Sequence, residues 1–351
     1  MLKSLQNPDR VSLKALPEAS IIIPVHNGGD SFRKCLASIR RWGTQAEVVV
    51  VADGESDGSW KLAQQQDAKV ILQPESGGPA KARNLGAKFA SSDILFFIDA
   101  DVEIHPATVS RVVQAFQQDR ELAALIGSYD DAPGDRGFLS QYKNLFHHYT
   151  HQGACEEAST FWGACGAIRK DVFLALGGFD EGYRRPCIED IELGYRLKHE
   201  GYKIRLCKDI QVKHLKRWTM FSLLRAEVFY RALPWMALLL RIRQRDPQQY
   251  QRFSSDLNLC WSSRVSVALV YGLCIGLVAA PWYPPLLAIS GLIGLILFAI
   301  NLPVYQFFYQ KRGFLFALRV LPWHWLYYFY SGLAFGVGLL RHRFQNYQLA
   351  R

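Results

Sequence analysis

Apolar runs alternate with amphipathic stretches through the first half of the chain, the pattern of β-strands joined by helices. Ala19 to Val25 is an apolar run that ends in the turn residues His26-Asn27-Gly28-Gly29. The next stretch, Ser31 to Trp42, places Phe32, Cys35, Leu36 and Ile39 at helical spacing. Glu47 to Ala52 then predicts a second buried strand, which delivers Asp53-Gly54-Glu55-Ser56-Asp57-Gly58-Ser59 at its end. Strand, helix, strand in this order gives a parallel pair through a right-handed crossover. The run Ser92 to Ile98 predicts a further strand, and Asp99-Ala100-Asp101 emerges where it stops.

Ligands of open α/β sheets sit outside the carboxyl ends of the strands. Asn27, Asp53, Asp99 and Asp101 are thus predicted to meet at one edge. An Asp-x-Asp pair there is either a polar strand end or a place to hold a divalent cation. Mg²⁺ and Mn²⁺ take oxygen ligands and complete their shell with substrate phosphates, so the second reading implies a nucleotide diphosphate.

Together these segments resemble family 2 glycosyltransferases with a GT-A fold, over residues 19 to 218. The resemblance implies a Rossmann-like α/β domain with a mostly parallel sheet. Pro24 and Asn27 match the family's opening strand. Ala52-Asp53-Gly54-Glu55-Ser56-Asp57-Gly58 matches its nucleotide-reading segment, with Ala52 in place of the first Asp, which leaves Asp53 as the implied contact to base or ribose. Gly77-Gly78-Pro79-Ala80-Lys81-Ala82-Arg83-Asn84-Leu85-Gly86 resembles the family's glycine-rich helix start and implies that Arg83 contacts the nucleotide. Asp99 and Asp101 match the metal-binding pair.

Downstream, Trp162-Gly163, Gly177-Gly178-Phe179-Asp180 and Ile188-Glu189-Asp190-Ile191 resemble the acceptor side of the same family. There a Glu-Asp pair opens a helix and one carboxylate acts as base. A sugar hydroxyl is a poor nucleophile until a carboxylate in hydrogen-bond reach takes its proton. The resemblance implies Asp190 as base, oriented by Glu189, with Trp162, Gly163 and Asp180 near the acceptor or diphosphate. Spacing alone leaves open an ordinary acidic helix N-terminus. Ile210 to His214 predicts a strand reaching the same edge. His214 is either a third metal or diphosphate ligand or a partly buried strand-end histidine. His214 with Arg217-Trp218 partly resembles the Gln-x-x-Arg-Trp of processive polysaccharide synthases, with His in place of Gln. Arg217 and Trp218 either contact phosphate and sugar or anchor an interface.

The remainder of the chain changes character. The net charge of +10 is concentrated between Lys213 and Arg264, in Lys216, Arg217, Arg225, Arg231, Arg241, Arg243, Arg245 and Arg252. These lie among Trp218, Phe221, Phe229 and Trp235, which predicts helices on an anionic leaflet rather than a nucleic-acid module. Val265 to Ala280 and Leu286 to Tyr309 are uncharged and read as a hairpin of membrane spans around Pro281-Trp282-Tyr283-Pro284-Pro285. Trp323 to Leu340 is either a third span or a re-entrant segment with Arg319 and Pro322 at its elbow.

The domain reading is therefore a polar segment over 1–18, a GT-A domain over 19–218 and a basic amphipathic linker over 219–264. Two to three transmembrane helices follow over 265–340, then a basic tail over 341–351. Met1 to Leu16 lacks an apolar signal core, and seven scattered cysteines suit a reducing compartment. The expected protein is a multi-pass enzyme of the inner (plasma) membrane with its catalytic domain in the cytoplasm. It would use Mg²⁺ or Mn²⁺, a nucleotide diphosphate sugar and a lipid-linked or membrane hydroxyl acceptor, with inversion. Polyprenyl-phosphate glycosyltransferase and processive polysaccharide synthase are the alternatives. His147, His148 and His151 invite a zinc reading, but the sequence offers no third ligand for the His147/His151 face.

Overall fold

A computed structural model describes residues 18–247 and 261–349, with side chains up to Arg341. The segments 1–17, 248–260 and 350–351, and with them Arg252 of the linker, lie outside the described residues.

Eight strands form one sheet in the order β3-β2-β1-β4-β7-β6-β8-β5. They are β1 (Ser20–Val25), β2 (Glu47–Asp53), β3 (Lys69–Gln73), β4 (Ile94–Ile98), β5 (Val102–Ile104), β6 (Leu122–Tyr129), β7 (Cys165–Arg169) and β8 (Lys203–His214). The nucleotide-side half, β3-β2-β1-β4, is parallel as the crossover argument requires. The other half corrects the expectation of a mostly parallel sheet. β7 runs antiparallel to β4 and β6, and β5 antiparallel to β8.

The reversal has a consequence for the site. Cys165 at the start of β7 pairs with Ile98 at the end of β4. The residues just before β7, Trp162 and Gly163, are therefore delivered to the same edge as Asp99. β6 and β8 run parallel, and the end of β8 brings His214 opposite Val102, next to Asp101.

Helices cover both faces. α1 (Gly29–Trp42) buries Phe32, Cys35, Leu36 and Ile39, the residues its spacing selects. α2 (Ser59–Gln64) lies against β3 and β2, while α3 (Pro79–Phe89) packs on β1 and β2, and α4 (Thr108–Gln118) on β8 and β6. α5 (Phe138–Gly153), α6 (Lys170–Ala175) and α7 (Glu189–His199) complete the domain. Phe97 sits at the centre of one face, ringed by Phe161, Phe173 and Phe179 with ring centroids at 6.1, 5.3 and 5.2 Å. Burying side chains of this size contributes roughly 1.5–3 kcal/mol each.

The basic linker folds as α8 (Met220–Arg225), a π-helical turn (Ala226–Ala232) and α9 (Leu233–Arg245). Thr219 caps α8 through a reciprocal box with Ser222. α9 docks on α7, with Leu239 and Trp235 against Tyr195 and Ile191. Met220, Phe221 and Phe229 remain exposed.

α10 (Trp261–Ala279) is long and apolar enough to cross a bilayer. The expected second span is broken. α11 (Leu286–Ile300) and α12 (Leu302–Arg312) meet at a bend of 63° at Asn301. Pro303 cannot continue the upstream ladder. The Asn301 amide is held across helices by Ser266 (3.0 Å), Tyr328 (2.7 Å) and His324 (3.3 Å). Trp323 to Leu340 belongs to a single helix, α13 (Phe314–Leu349), which contains Pro322. Among the described residues one helix can span by length and composition, or two if the bent pair counts as one.

α5 joins the two regions. Its Tyr142 and Leu145 pack with Tyr305, Phe308 and Val320. Arg312 Nε donates to Gln141 at 2.9 Å, and Lys311 pairs with Asp131 at 2.6 Å.

Candidate active site

The site is organised around Arg83, which α3 carries under the carboxyl ends of β1 and β4. One guanidinium nitrogen donates to Asp99 Oδ1 at 2.7 Å and another to Glu189 Oε1 at 2.8 Å. Arg83 and Glu189 are both buried. Burial works against the charge on Arg83, but the Asp99 and Glu189 carboxylates outweigh it and hold the guanidinium more firmly charged. Glycine at 163 makes room for this fork, because a Cβ there would meet Arg83 Cζ at 2.9 Å. Asn84, one residue on, clamps the Gly177-Gly178 turn by bonding both the N–H and the C=O of Phe179, each at 2.8 Å.

Asp190 follows Glu189 in the first turn of α7. Its Oδ2 accepts from the Gly163 N–H at 3.1 Å and its Oδ1 from the Ile191 N–H at 2.8 Å. Burial, with the Glu189 charge beside it, pushes the Asp190 carboxyl up to about 6. That places it in the range of a general base working near neutrality.

On the other side, Asp101 faces His214, Oδ2 to Nε2 at 3.5 Å. Burial would raise the Asp101 carboxyl, but His214 and Lys216 together hold it at about 2. Asn144 Oδ1 lies 2.6 Å from His214 Nδ1. His214 is thus held between Asn144 on its Nδ1 side and the Asp101 carboxylate on its Nε2 side. A carboxylate and an imidazole nitrogen, both ligand types for divalent cations, therefore share one corner of the edge. Among the described residues no cluster of three or more His, Cys, Asp or Glu would hold a metal alone. A Mg²⁺ or Mn²⁺ ion at this edge would have Asp101 and His214 as neighbouring ligands and would draw the rest of its shell from substrate phosphates and water.

The nucleotide-side residues build the loops at this edge. Both Asp53 oxygens are occupied, by Gln73 Nε2 (2.6 Å), Gly77 N (2.7 Å), Ser76 Oγ (3.0 Å) and Gly78 N (2.9 Å). Its carboxylate thus organises the loop leading into α3 and has little left to offer a base or ribose. Asn27, at a positive φ of 54°, accepts from Ser56 N at 2.8 Å and ties the two glycine-bearing loops together. Pro24 lies within β1, three residues upstream.

Trp162 packs in an aromatic group with Tyr129, His147 and His151. Tyr129 in turn stacks on His214 at 4.4 Å. His147 and His151 do share a face, 4.1 Å apart, but the His151 Nδ1 is engaged by the Gly127 carbonyl and His148 by that of Tyr129. Burial depresses His147 well below its usual range and His151 to about 4, so both are neutral. Asp180 is exposed, with Oδ1 on the Gly182 N–H at 2.9 Å. Arg217 is exposed, and the Trp218 backbone donates to Ser140 at 2.8 Å while Lys216 lies over its ring.

A cavity of about 160 Å³ opens beside Asp190, bounded by α5, the π-helical turn, α9 and α13. Asn144, Lys143, Glu227 and Tyr330, all in or beside this region, were not anticipated from the sequence. Their roles depend on helices that the hydrophobic pattern places but does not orient.

Residues 20–177 match glycosyl transferase family 2, and residues 143–221 match the N-terminal domain of galactosyltransferase. "Probable glycosyltransferase YdaM" of Bacillus subtilis is 27% identical over 213 residues, covering 56% of this chain and 50% of its own. The Pre-mycofactocin glycosyltransferase of Mycobacterium tuberculosis is 26% identical over 225 residues, covering 61% of this chain and 46% of its own. The chain thus spans about half the length of these curated relatives. The Pyrobaculum calidifontis mannosyltransferase PcManGT, solved with GDP-Man and Mn²⁺, superposes with a TM-score of 0.54 at 18% identity. That match covers 82% of this chain and 87% of the other, a likeness in fold. The match over residues 20–177 and these relatives support a family 2 glycosyltransferase.

Proposed function

We propose that the chain transfers a sugar from a nucleotide diphosphate sugar to a hydroxyl acceptor at a membrane, with inversion. The observation that carries this reading is the Arg83 fork, which ties Asp99 at the donor edge to Glu189 beside Asp190. A carboxylate with a raised pKa is thereby fixed next to the place where a metal-held diphosphate would lie.

The acceptor hydroxyl oxygen attacks the anomeric carbon while the bond from that carbon to the diphosphate oxygen breaks. Asp190 receives the hydroxyl proton, and the nucleoside diphosphate leaves. Gly163 and Ile191 N–H groups hold the carboxylate in place without consuming all its lone pairs. Glu189 is neutralised by Arg83 and orients the start of α7. Asp99, Asp101 and His214 would hold a divalent cation, which when bound stabilises the charge on the leaving diphosphate. Pro24, Asn27 and Asp53 shape the nucleotide side. Trp162 walls the acceptor side, and Arg217, Trp218 and Asp180 border it.

The membrane part rests on exposed apolar side chains. Ile275, Val278, Leu292, Leu295 and Leu315 are each more than half exposed, a surface that fits a lipid environment. Together with the basic linker, it supports a lipid-borne acceptor and a position on the cytoplasmic face of the inner membrane.

A radiolabelled nucleotide-sugar panel with purified full chain, Mn²⁺ and a total lipid extract tests the reading. Label in the organic phase that survives mild acid is expected. Acid-labile label would move the chain to the polyprenyl-phosphate sugar class, and label in a water-soluble polymer to the processive class.

A further inference from the structure

The cavity beside Asp190 contains a second charged group that proton abstraction does not require. Lys143 Nζ and Arg231 Nη1 both reach the same oxygen, Glu227 Oε1, at 2.7 and 3.1 Å. Glu227 Oε2 accepts from Tyr330 of α13 at 3.2 Å. Two cations thus share one carboxylate. Among the described residues neither has another ion-pair partner within 4.0 Å, so Lys143, Arg231 and Glu227 by themselves carry one net positive charge, facing Asp190 across the same cavity. Lys143 and Glu227 are largely withdrawn from water, with side-chain exposures of 14% and 5%. Burial lowers the Lys143 ammonium to about 8 against the opposing pull of Glu227. Arg231 is 42% exposed and feels the Asp190 charge only from beyond ion-pair distance, so an anion supplied from outside would be the second group to contact the two cations directly.

The size and walls of the cavity narrow what it admits. About 160 Å³ is close to the roughly 150 Å³ cavity that holds one benzene ring. Phe146, Trp162, Trp235 and Tyr327 provide flat faces, and Asp190 lies on the same lining as Lys143 and Arg231. We infer that this cavity is an anion-selecting acceptor subsite, taking one hydroxyl-bearing six-membered ring whose phosphate or carboxylate group pairs with Lys143 and Arg231. The inference rests on the proposed transferase function, because it places the ring's free hydroxyl at Asp190.

Glu227 is then a positioning residue that holds the two cations apart and half-neutralises them. Tyr327 and Tyr330 make α13 part of the acceptor wall, so the C-terminal helix serves specificity as well as attachment. A neutral acceptor ring would leave the excess charge unpaired, and this difference is the basis of the selection.

The test uses the purified full chain and three probes that differ in one property at a time. They are inositol, inositol 1-phosphate, and phosphatidylinositol in phosphatidylcholine vesicles. Ligand-observed NMR titration should give inositol 1-phosphate an affinity at least about ten-fold above inositol, as expected of a charge-assisted contact. Arg231→Gln and Lys143→Met should each remove most of that preference. Glu227→Gln should increase it several-fold, the opposite of what loss of a merely structural ion pair would do. Vesicle flotation that depends on phosphatidylinositol and is lost in Arg231→Gln would assign the anion to a lipid headgroup. Preference for the free phosphate alone would assign it to a soluble acceptor. Equal affinity for inositol and inositol 1-phosphate, or an unchanged preference in both cation variants, overturns the inference. Nucleotide-sugar hydrolysis on the same samples reads the transferase proposal separately, so failure of one is distinguishable from failure of the other.

Discussion

Arg83 and Glu189 form a buried ion pair at 2.8 Å across 106 residues of sequence, joining the donor-side helix α3 to the acceptor-side helix α7. A second guanidinium nitrogen of the same fork meets Asp99 at 2.7 Å. Donor edge and base are therefore fixed to each other by a single side chain. Replacing Arg83 by Met would leave two carboxylates facing each other without a cation. Breaking such a pair costs about 3–5 kcal/mol, so chemical denaturation of Arg83→Met should show a loss of that order. Arg83→Lys keeps the charge but lacks the fork. It should retain most of the stability while turnover drops at least about ten-fold. A Lys variant with unaltered kcat would remove the fork from the mechanism.

Asp190→Asn keeps the shape of the carboxyl and removes its basicity. General-base catalysis contributes about 10²–10⁴-fold, so transfer should fall by that factor with nucleotide affinity within a few-fold of the parent. Near-normal turnover would take Asp190 out of the base role.

The pH dependence follows from the same residue. Asp190 must be ionised to accept a proton, and burial with Glu189 beside it raises its carboxyl to about 6. kcat/KM should therefore rise through pH 6 and level off above it. The stability sign is opposite. A carboxyl raised from 3.8 to about 6 on folding binds its proton more tightly in the native state. Its contribution to stability is consequently lost as pH rises from 3.8 to 6. At pH 7 the Asn variant should be more stable than the parent, by about 1–3 kcal/mol, in thermal or urea unfolding. Lower stability in that variant would mean that the Gly163 and Ile191 contacts outweigh the desolvation.

The parallel strands β1, β2 and β4 were legible in the sequence because apolar runs give way abruptly to turn residues and carboxylates. The buried face of α1 could be read residue by residue from its spacing, and so could the start of α7 at Glu189. What the sequence did not carry was pairing across distance. Arg83 and Glu189 are recognisable separately, but their contact depends on where the antiparallel β7 brings Gly163. Lys143 sits in an aromatic helix and Glu227 in a basic stretch, and nothing local marks them as partners. The break at Asn301 was hidden for the same reason. Leu286 to Tyr309 is uniformly uncharged, while the side chains that hold the bend, Ser266, His324 and Tyr328, come from other helices.

Asp101 and His214 face each other at 3.5 Å with Asn144 behind the imidazole. Asp101→Asn and His214→Leu should each weaken Mn²⁺-dependent nucleotide binding by roughly ten-fold or more. Asn144→Leu, which keeps Asp101 and His214 but removes the partner of His214 Nδ1, should produce a smaller loss of the same kind. Calorimetric titration with and without Mn²⁺ measures this directly. Identical affinities in the two conditions for the unmodified chain would exclude the metal assignment.

Gly163 is a point of close steric approach between the two halves of the site. Its N–H donates to Asp190, and a Cβ added there would approach Arg83 Cζ at 2.9 Å and Nη2 at 3.0 Å. The guanidinium has little freedom to retreat, being buried and bonded to Asp99 and Glu189 at once. In Gly163→Ala either the fork shifts or the loop before β7 moves away from Asp190. Both displace the base relative to the donor edge by a few tenths of an ångström, and such misplacement is felt in kcat more than in binding. The expected result is a fall in kcat of about ten-fold or more with nucleotide affinity nearly unchanged. The pH profile should also move toward lower pH if Asp190 becomes better hydrated. Parent-like kcat with an unshifted profile would show that the close approach of Gly163 and Arg83 is packing alone, with no part in holding the base.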